Sequence, residues 1–180
     1  MIITPQNSLA VVVDIQEKLL PHIHQKDEIL KNTNILVEGL KIFDIPFILN
    51  EQYPQGLGNT IEELRSKLEN VQSLEKTCFS CCANEQTREK IIKSKKTTAI
   101  VFGIETHICV LQTCLDLIAN NISPVLVVDC CGSRKKQDKD LAVQRMVQAG
   151  VIPTSYEALL FELCKSSKHP NFKEISKLVK

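Results

Sequence analysis

The stretch Thr97–Val110, TTAIVFGIETHICV, decides how this chain of 180 residues is read. Ala99–Phe102 is a short apolar run containing β-branched residues, with lysines before it and a glycine after it. That is the pattern of a parallel core strand. The run is expected to break at Gly103 and to deliver Cys109 to the start of a helix, because Val110, Cys114, Leu117 and Ile118 recur at helical spacing. A cysteine in the first turn of such a helix faces unpaired N–H groups and the positive end of the helix dipole. Both favour the nucleophilic thiolate. Cys109 is therefore the candidate nucleophile.

Working outward, three further apolar runs complete a sheet core: Leu9–Val13, Pro46–Leu49 and Pro124–Val128. Val151–Pro153 adds a short fifth strand, and a further strand is expected before Cys78. Helical patterns lie between them over Ile29–Phe43, Thr60–Leu68 (opening at Asn59 or Thr60), Ala83–Lys95, Val110–Asn120 and Asp138–Gln148, the last closed by a capping Gly150. Strands alternating with helices imply βαβ units and a mainly parallel sheet covered on both faces. Right-handed crossovers then put an active site at the C-terminal ends of the strands. Tyr53–Asn59, YPQGLGN, reads as the most flexible loop and Ser133–Lys139 as a solvated charged turn. The length suits one domain spanning residues 1–180.

Composition excludes several function classes. Hydrophobic residues make up 43% and charged residues 24%, ordinary for a globular protein that keeps to water. A formal charge of +1 gives no electrostatic footprint for nucleic acid or a membrane surface. Aromatic residues are 4% and Trp is absent, which argues further against a base-stacking surface. No apolar run approaches a transmembrane span. The N-terminus, MIITPQNSLAVVVDIQ, lacks the features of a signal peptide or transit peptide. The eight cysteines include two adjacent pairs, and none lies in the first 77 residues. A disulfide scaffold staples its whole length, so reduced thiols in the cytosol are expected, and no clear presequence points to mitochondria.

Asp14 follows VVV at the end of the first strand, where a carboxylate is either solvated, caps a turn or holds a partner. Gln16 either bonds a ligand or caps the same turn. Lys76, in SLEKTCFSCC, reads alone as a solvated lysine; beside a cysteine and an aspartate its charge would stabilise both anions. Cys114, Cys130 and Cys164 sit in apolar contexts that suit packing. Cys78 and Cys81 form a CxxC followed by Cys82, but a zinc site wants a second pair at matching spacing, and Cys130 and Cys131 are adjacent instead. The context of Cys109 follows the logic of a nucleophile elbow without its GxSxG residues. His107, two positions before Cys109, points away from it at a helix start and suits a substrate-side or solvent role better than a Cys–His dyad. His22 and His24 suit an exposed helix start better than a metal, and His169 is a tail histidine without a nearby partner in sequence.

Asp14, Lys76 and Cys109, with the run GIETHIC, resemble the isochorismatase-like cysteine hydrolase family, which takes in nicotinamidases, N-carbamoylsarcosine amidases and isochorismatases. The segments DIQ, NEQYPQGLG, EKTCFS, GIETHICV, VVDCCGSR and HPNFKEISKLVK carry the resemblance along nearly the whole chain. They are most similar to the eukaryotic isochorismatase domain-containing subgroup, some of whose protozoan relatives carry a ribonuclease label. The resemblance implies a three-layer α/β/α Rossmann-like fold with a central mainly parallel sheet of about six strands. It implies Asp14 as general base, Lys76 as the charge that holds Asp14 and the thiolate in register, and Cys109 as the nucleophile of a thioester route. It also implies a cis peptide between Ile104 and Glu105, with the N–H groups of Glu105 and Cys109 as an oxyanion hole.

The metal-dependent nicotinamidases carry an aspartate and histidines after the second strand. NEQYPQGLGNT has neither, so no metal and no cofactor are expected. Isochorismatases that cleave a vinyl ether do not require the cysteine, so Cys109 favours hydrolysis of a C–N or related acyl bond in a small-molecule substrate. Gln16, Leu19, Tyr53, Phe79 and Glu105 are the expected pocket residues. A homo-oligomer, dimer or larger, is implied by the same resemblance, and apolar residues near the C-terminus look exposed enough to serve it. The competing expectations are a non-catalytic small-molecule-binding or interaction protein on the same fold, and a ribonuclease.

Overall fold

The first strand, β1 (Ser8–Val13), is buried at every position, as an unbroken apolar run requires when a sheet is covered on both faces. In the computed structural model, which describes residues 2–180, the chain then forms α1 (Lys26–Ile42) and β2 (Phe47–Gln52). Two short helices, α2 (Pro54–Leu57) and α3 (Glu62–Arg65), lead to β3 (Ser73–Lys76) and α4 (Glu85–Ser94). The second half runs β4 (Thr98–Ile104), α5 (Leu111–Ala119), β5 (Ser123–Gly132), α6 (Lys136–Gln148), β6 (Ile152–Thr154), α7 (Tyr156–Cys164) and α8 (Phe172–Leu178).

The six strands form one sheet in the order β3-β2-β1-β4-β5-β6, and every pairing is parallel. The chain therefore winds outward from β1 to β3, returns to lay β4 against the other side of β1, and winds outward again. With right-handed crossovers, that reversal sends α1 to one face and α4, α5 and α6 to the other. α1 packs on β5 and α7, and α7 carries α8; α5 packs on β5 and α6 across the sheet. The reversal lies between β1 and β4, the point at which open parallel sheets of this kind place their chemistry.

Several boundaries differ from the sequence expectation, each for a local reason. Gly103 does not end β4: it stays paired with Val13 of β1, at φ +129°. A Cβ there would collide with the Val13 carbonyl oxygen, so glycine lets the two central strands close up where they end. The register against β5 shifts between Val101 and Gly103, which lets β5 run on to pair Cys131 and Gly132 with Gly103 and Ile104. The helix expected over Thr60–Leu68 shrinks to α3 and one 3₁₀ turn. Thr60 is held instead by a bridge to Gln16 and by the buried Glu51 carboxylate, which accepts from its N–H at 2.7 Å and its hydroxyl at 2.6 Å. The loop Tyr53–Asn59 contains the helical turn α2. Gly150, at φ +99°, follows the end of α6 and donates to the Val147 carbonyl, closing that helix.

The C-terminal apolar residues are not exposed: Leu159, Leu160, Leu163 and Ile175 are core, because α7 and α8 cover α1. The large apolar side chains that do face solvent include Tyr53, Phe79, Ile92 and Leu141. Among the described residues no helix is long and apolar enough to cross a membrane.

Candidate active site

Asp14 is the first residue past β1, and its backbone lies in the left-handed region at φ +51°. Few residue types tolerate that region, and aspartate is one of them. The conformation is fixed from both sides: Asp14 N–H donates to the Asn50 carbonyl at 3.2 Å, and the Asp14 carbonyl accepts from Gln16 N–H at 2.8 Å. Its side chain is fully buried and meets Lys76, the last residue of β3, two strands away.

The Lys76 ammonium sits 2.7 Å from Asp14 Oδ2 and 2.7 Å from Gln52 Oε1, and the carbonyls of Cys78 (3.3 Å) and Phe79 (3.1 Å) complete its surroundings. Burial alone would lower its pKa; the Asp14 carboxylate, by charge and by hydrogen bond, leads the influences that outweigh burial and hold it above the ordinary value. The Asp14 pKa is raised as well, which for an acid favours the neutral form. Burial raises its affinity for a proton, and Lys76 offsets only part of that. The other carboxylate oxygen, Oδ1, is buried and has no hydrogen-bond partner. A buried acceptor left open in this way is a place to look for chemistry.

Cys109 lies in a π-helical turn, Thr106–Val110, that precedes α5 and follows the cis peptide Ile104–Glu105. Cys109 is buried, with 6% of the residue exposed. Burial, and then the Asp14 carboxylate, push its pKa up to about 12, with Lys76 pulling the other way. This corrects the expectation of a thiolate favoured by the helix start. The cysteine sits in the turn ahead of the regular helix, buried beside an anion, and desolvation outweighs the dipole. The resting pair is thus a thiol beside a carboxylate and an ammonium.

The turn is tied down on both sides. The Glu105 carbonyl accepts from Ile108 N–H at 3.1 Å and Val110 N–H at 3.2 Å, on either side of Cys109. Thr113 of α5 donates its hydroxyl to the Cys109 carbonyl at 2.7 Å and accepts from Cys81 N–H at 2.9 Å, which links the nucleophile turn to the segment after Lys76. Thr106 Oγ1 in the same turn is buried without a partner.

Of the expected pocket residues, the structure does not bring the five together. Gln16 is fully buried: its Nε2 donates to the carbonyls of Gln52 (2.9 Å) and Gly58 (2.7 Å), and its Oε1 accepts from Gln52 N–H at 2.7 Å. With its amide engaged by backbone, it braces the loop after β2 and does not line a pocket. Leu19 and Glu105 share a cavity of about 450 Å³ with Arg134. Tyr53 belongs to a separate one of about 280 Å³ that reaches Lys76, and the exposed Phe79 lies outside both.

His107 turns its Nδ1 to Ser133 Oγ at 2.9 Å. His169, without a partner in sequence, accepts from Asn171 N–H and packs its ring, tilted by 57°, against Phe43 with centroids 5.6 Å apart. All eight cysteines are unpaired, and among the described residues no three His, Cys, Asp or Glu side chains gather as a metal site would require.

Sequence reasoning missed Gln52, Thr106 and Thr113. Gln52 carries a usable signal, since it ends β2 at the sheet edge where Asp14 and Lys76 also sit. The two threonines carry none, because a hydroxyl in a helix start reads as ordinary.

An all-parallel sheet in this order is a doubly wound α/β fold, and residues 8–158 match the Isochorismatase domain family. The chain belongs to that family. It is 36% identical over 178 residues to mouse isochorismatase domain-containing protein 2A, covering 99% of this chain and 85% of the mouse protein. Among solved structures it superposes on the MAR1 ribonuclease of Caenorhabditis elegans with a TM-score of 0.94 at 40% identity, over 99% of this chain and 92% of that one. The YcaC gene product of Escherichia coli, described as an octameric hydrolase of unknown specificity, shares the fold at 21% identity and a TM-score of 0.89, covering 97% of this chain and 94% of its own.

Proposed function

We propose that this protein is a cysteine-dependent hydrolase that cleaves a C–N or related acyl bond of a small molecule through a thioester. The observation that carries the reading is the buried Asp14–Lys76 pair, with one carboxylate oxygen open, beside the Cys109 thiol. Asp14 takes the thiol proton as Sγ attacks the carbonyl carbon, and Lys76 balances the charge. The tetrahedral oxyanion is held by the amides of Glu105 and Cys109, where losing one donor typically costs about 10²–10³ in turnover. Collapse expels the amine, which leaves with the proton held by Asp14. Asp14 then deprotonates a water that hydrolyses the thioester, releasing the acid and restoring the thiol.

The test is a metabolite and amide panel read by mass. An acyl adduct on the Cys109 peptide, with turnover abolished in Cys109→Ala, supports the scheme; full activity in Cys109→Ala overturns it. A binding protein on the same fold would instead retain ligand affinity in Cys109→Ala while the wild type turns over no amide or ester. The ribonuclease name of the worm relative raises a second reading, opposed by the +1 formal charge. RNA cleavage that survives Cys109→Ala in highly purified protein would favour it. We further infer a cytosolic homo-oligomer: eight unpaired thiols suit a reducing compartment, and the E. coli neighbour is described as an octamer. Light scattering of the purified protein checks the assembly.

A further inference from the structure

On the face of the sheet that carries α4 and α5, the two helices leave a gap between them. α4 packs on β2 and on the 3₁₀ turn Cys81–Ala83, while α5 packs on that same turn, on β5 and on α6. Between the helices a cavity of about 170 Å³ remains. Ile91 and Ile92 of α4 line one side, Leu117 of α5 and Ile122 the other, and Cys82 of the turn also lines it. Ile92 is 63% exposed, so apolar surface is left in water at the edge of the cavity.

The remaining lining residues are polar. The Arg88 guanidinium, one turn before Ile92 on α4, is exposed and finds no acceptor among the described residues. Asn120 gives one amide N–H to the Asp116 carbonyl at 2.7 Å and has a second to give. The Asp116 carboxylate is close enough to act on the Cys82 thiol, yet it does not line the cavity. An apolar slot with a cation and an N–H beside it suits an apolar body that ends in a carboxylate.

The cavity also touches what supports the nucleophile. Cys82 Sγ lies 3.9 Å from the Thr113 carbonyl. The N–H of adjacent Cys81 donates to Thr113 Oγ1 at 2.9 Å, and that hydroxyl donates to the Cys109 carbonyl at 2.7 Å. None of Asp14, Lys76 and Cys109 lines the cavity, so a molecule there leaves the reacting groups uncovered.

We propose that this cavity is a regulatory binding site for a small carboxylic acid with an aliphatic or aromatic body of about six carbon atoms, since an apolar cavity of about 150 Å³ takes benzene. Arg88 and Asn120 hold the carboxylate, and occupancy stiffens the turn behind Cys109.

Methyl NMR with isoleucine labelling tests the site directly, with 4-fluorobenzoate as the probe and each signal assigned by an Ile→Val substitution. The expected result is that the methyls of Ile91, Ile92 and Ile122 shift on titration, in wild type and in Cys109→Ala alike. Arg88→Gln should weaken binding about two- to fivefold, as for an exposed ion pair, and bring it level with neutral 4-fluorobenzyl alcohol. Arg145→Gln, on α6, should bind as wild type does. Saturating probe should slow iodoacetamide modification of the Cys109 peptide by about fivefold, the low end of typical coupling between sites. Shifts confined to Ile104 and Ile108 would seat the acid at the nucleophile turn and overturn the proposal. Equal affinity for the acid in Arg88→Gln and wild type overturns the carboxylate assignment, and an unchanged Cys109 rate at saturation overturns the regulatory role. Light scattering of Ile92→Lys excludes a second copy as the occupant if the particle size is unchanged; a smaller particle makes the gap a subunit interface and overturns the proposal.

Discussion

Where the proton sits between Cys109 and Asp14 controls what this site can do. Both groups bind a proton more tightly than they would in water, chiefly because both are buried, and Lys76 opposes that at each of them. Removing the carboxylate charge with Asp14→Asn should lower the Cys109 pKa from about 12, while Lys76→Met should raise it further. The pH dependence of Cys109 alkylation measures both, and a shift of the same sign in the two variants would contradict the assignment of charges. In wild type, alkylation should be slower at neutral pH than for a free thiol and should rise as pH climbs past 9. Lys76→Met also strands a buried carboxylate, at a cost of about 3–5 kcal/mol in stability, which a urea midpoint against wild type will show.

At the scale of elements, β4, the π-helical turn and α5 act as one unit that presents the thiol. Gly103→Ala forces a Cβ into the Val13 carbonyl at a backbone angle that side chains rarely adopt, and should destabilise by roughly 3 kcal/mol or more. Thr113→Val removes the hydroxyl that joins Cys109 and Cys81. Leaving those two backbone groups unpaired should cost about 1–3 kcal/mol, and turnover of any substrate found by the panel should fall more than thermal stability alone explains. The apolar runs made these elements legible: β1, β2, β4 and the start of β5 follow from hydrophobic patterning. Their ends do not, because the glycine that reads as a break is the device that lets β4 stay paired against β1. Thr60 likewise reads as a helix cap, until a buried glutamate from another strand captures it.

For the whole molecule, burial of many thiols has a consequence for alkaline stability. Cys81, Cys82, Cys109, Cys114, Cys130 and Cys131 all hold their protons above the ordinary value of 9.0, chiefly because they are buried. Above that pH the unfolded chain releases thiol protons that the folded chain retains. The unfolded state then binds fewer protons and stability falls as pH rises, by up to about 1.4 kcal/mol per pH unit per thiol. The urea midpoint in the presence of reductant should drop between about pH 8 and pH 10, and a flat profile would contradict this burial. The sequence by itself determined the alternation of strands and helices, and with it a parallel sheet with its chemistry at the strand ends, since periodicity is a local property of the chain. Local context singled out Cys109, and Asp14 and Lys76 joined it through the family resemblance that the sequence motifs carry. Only the tertiary structure decided that the sheet reverses between β1 and β4, that Lys76 crosses to Asp14, and that Cys109 rests as a thiol. Those outcomes depend on which residues, far apart in sequence, exclude water from one another.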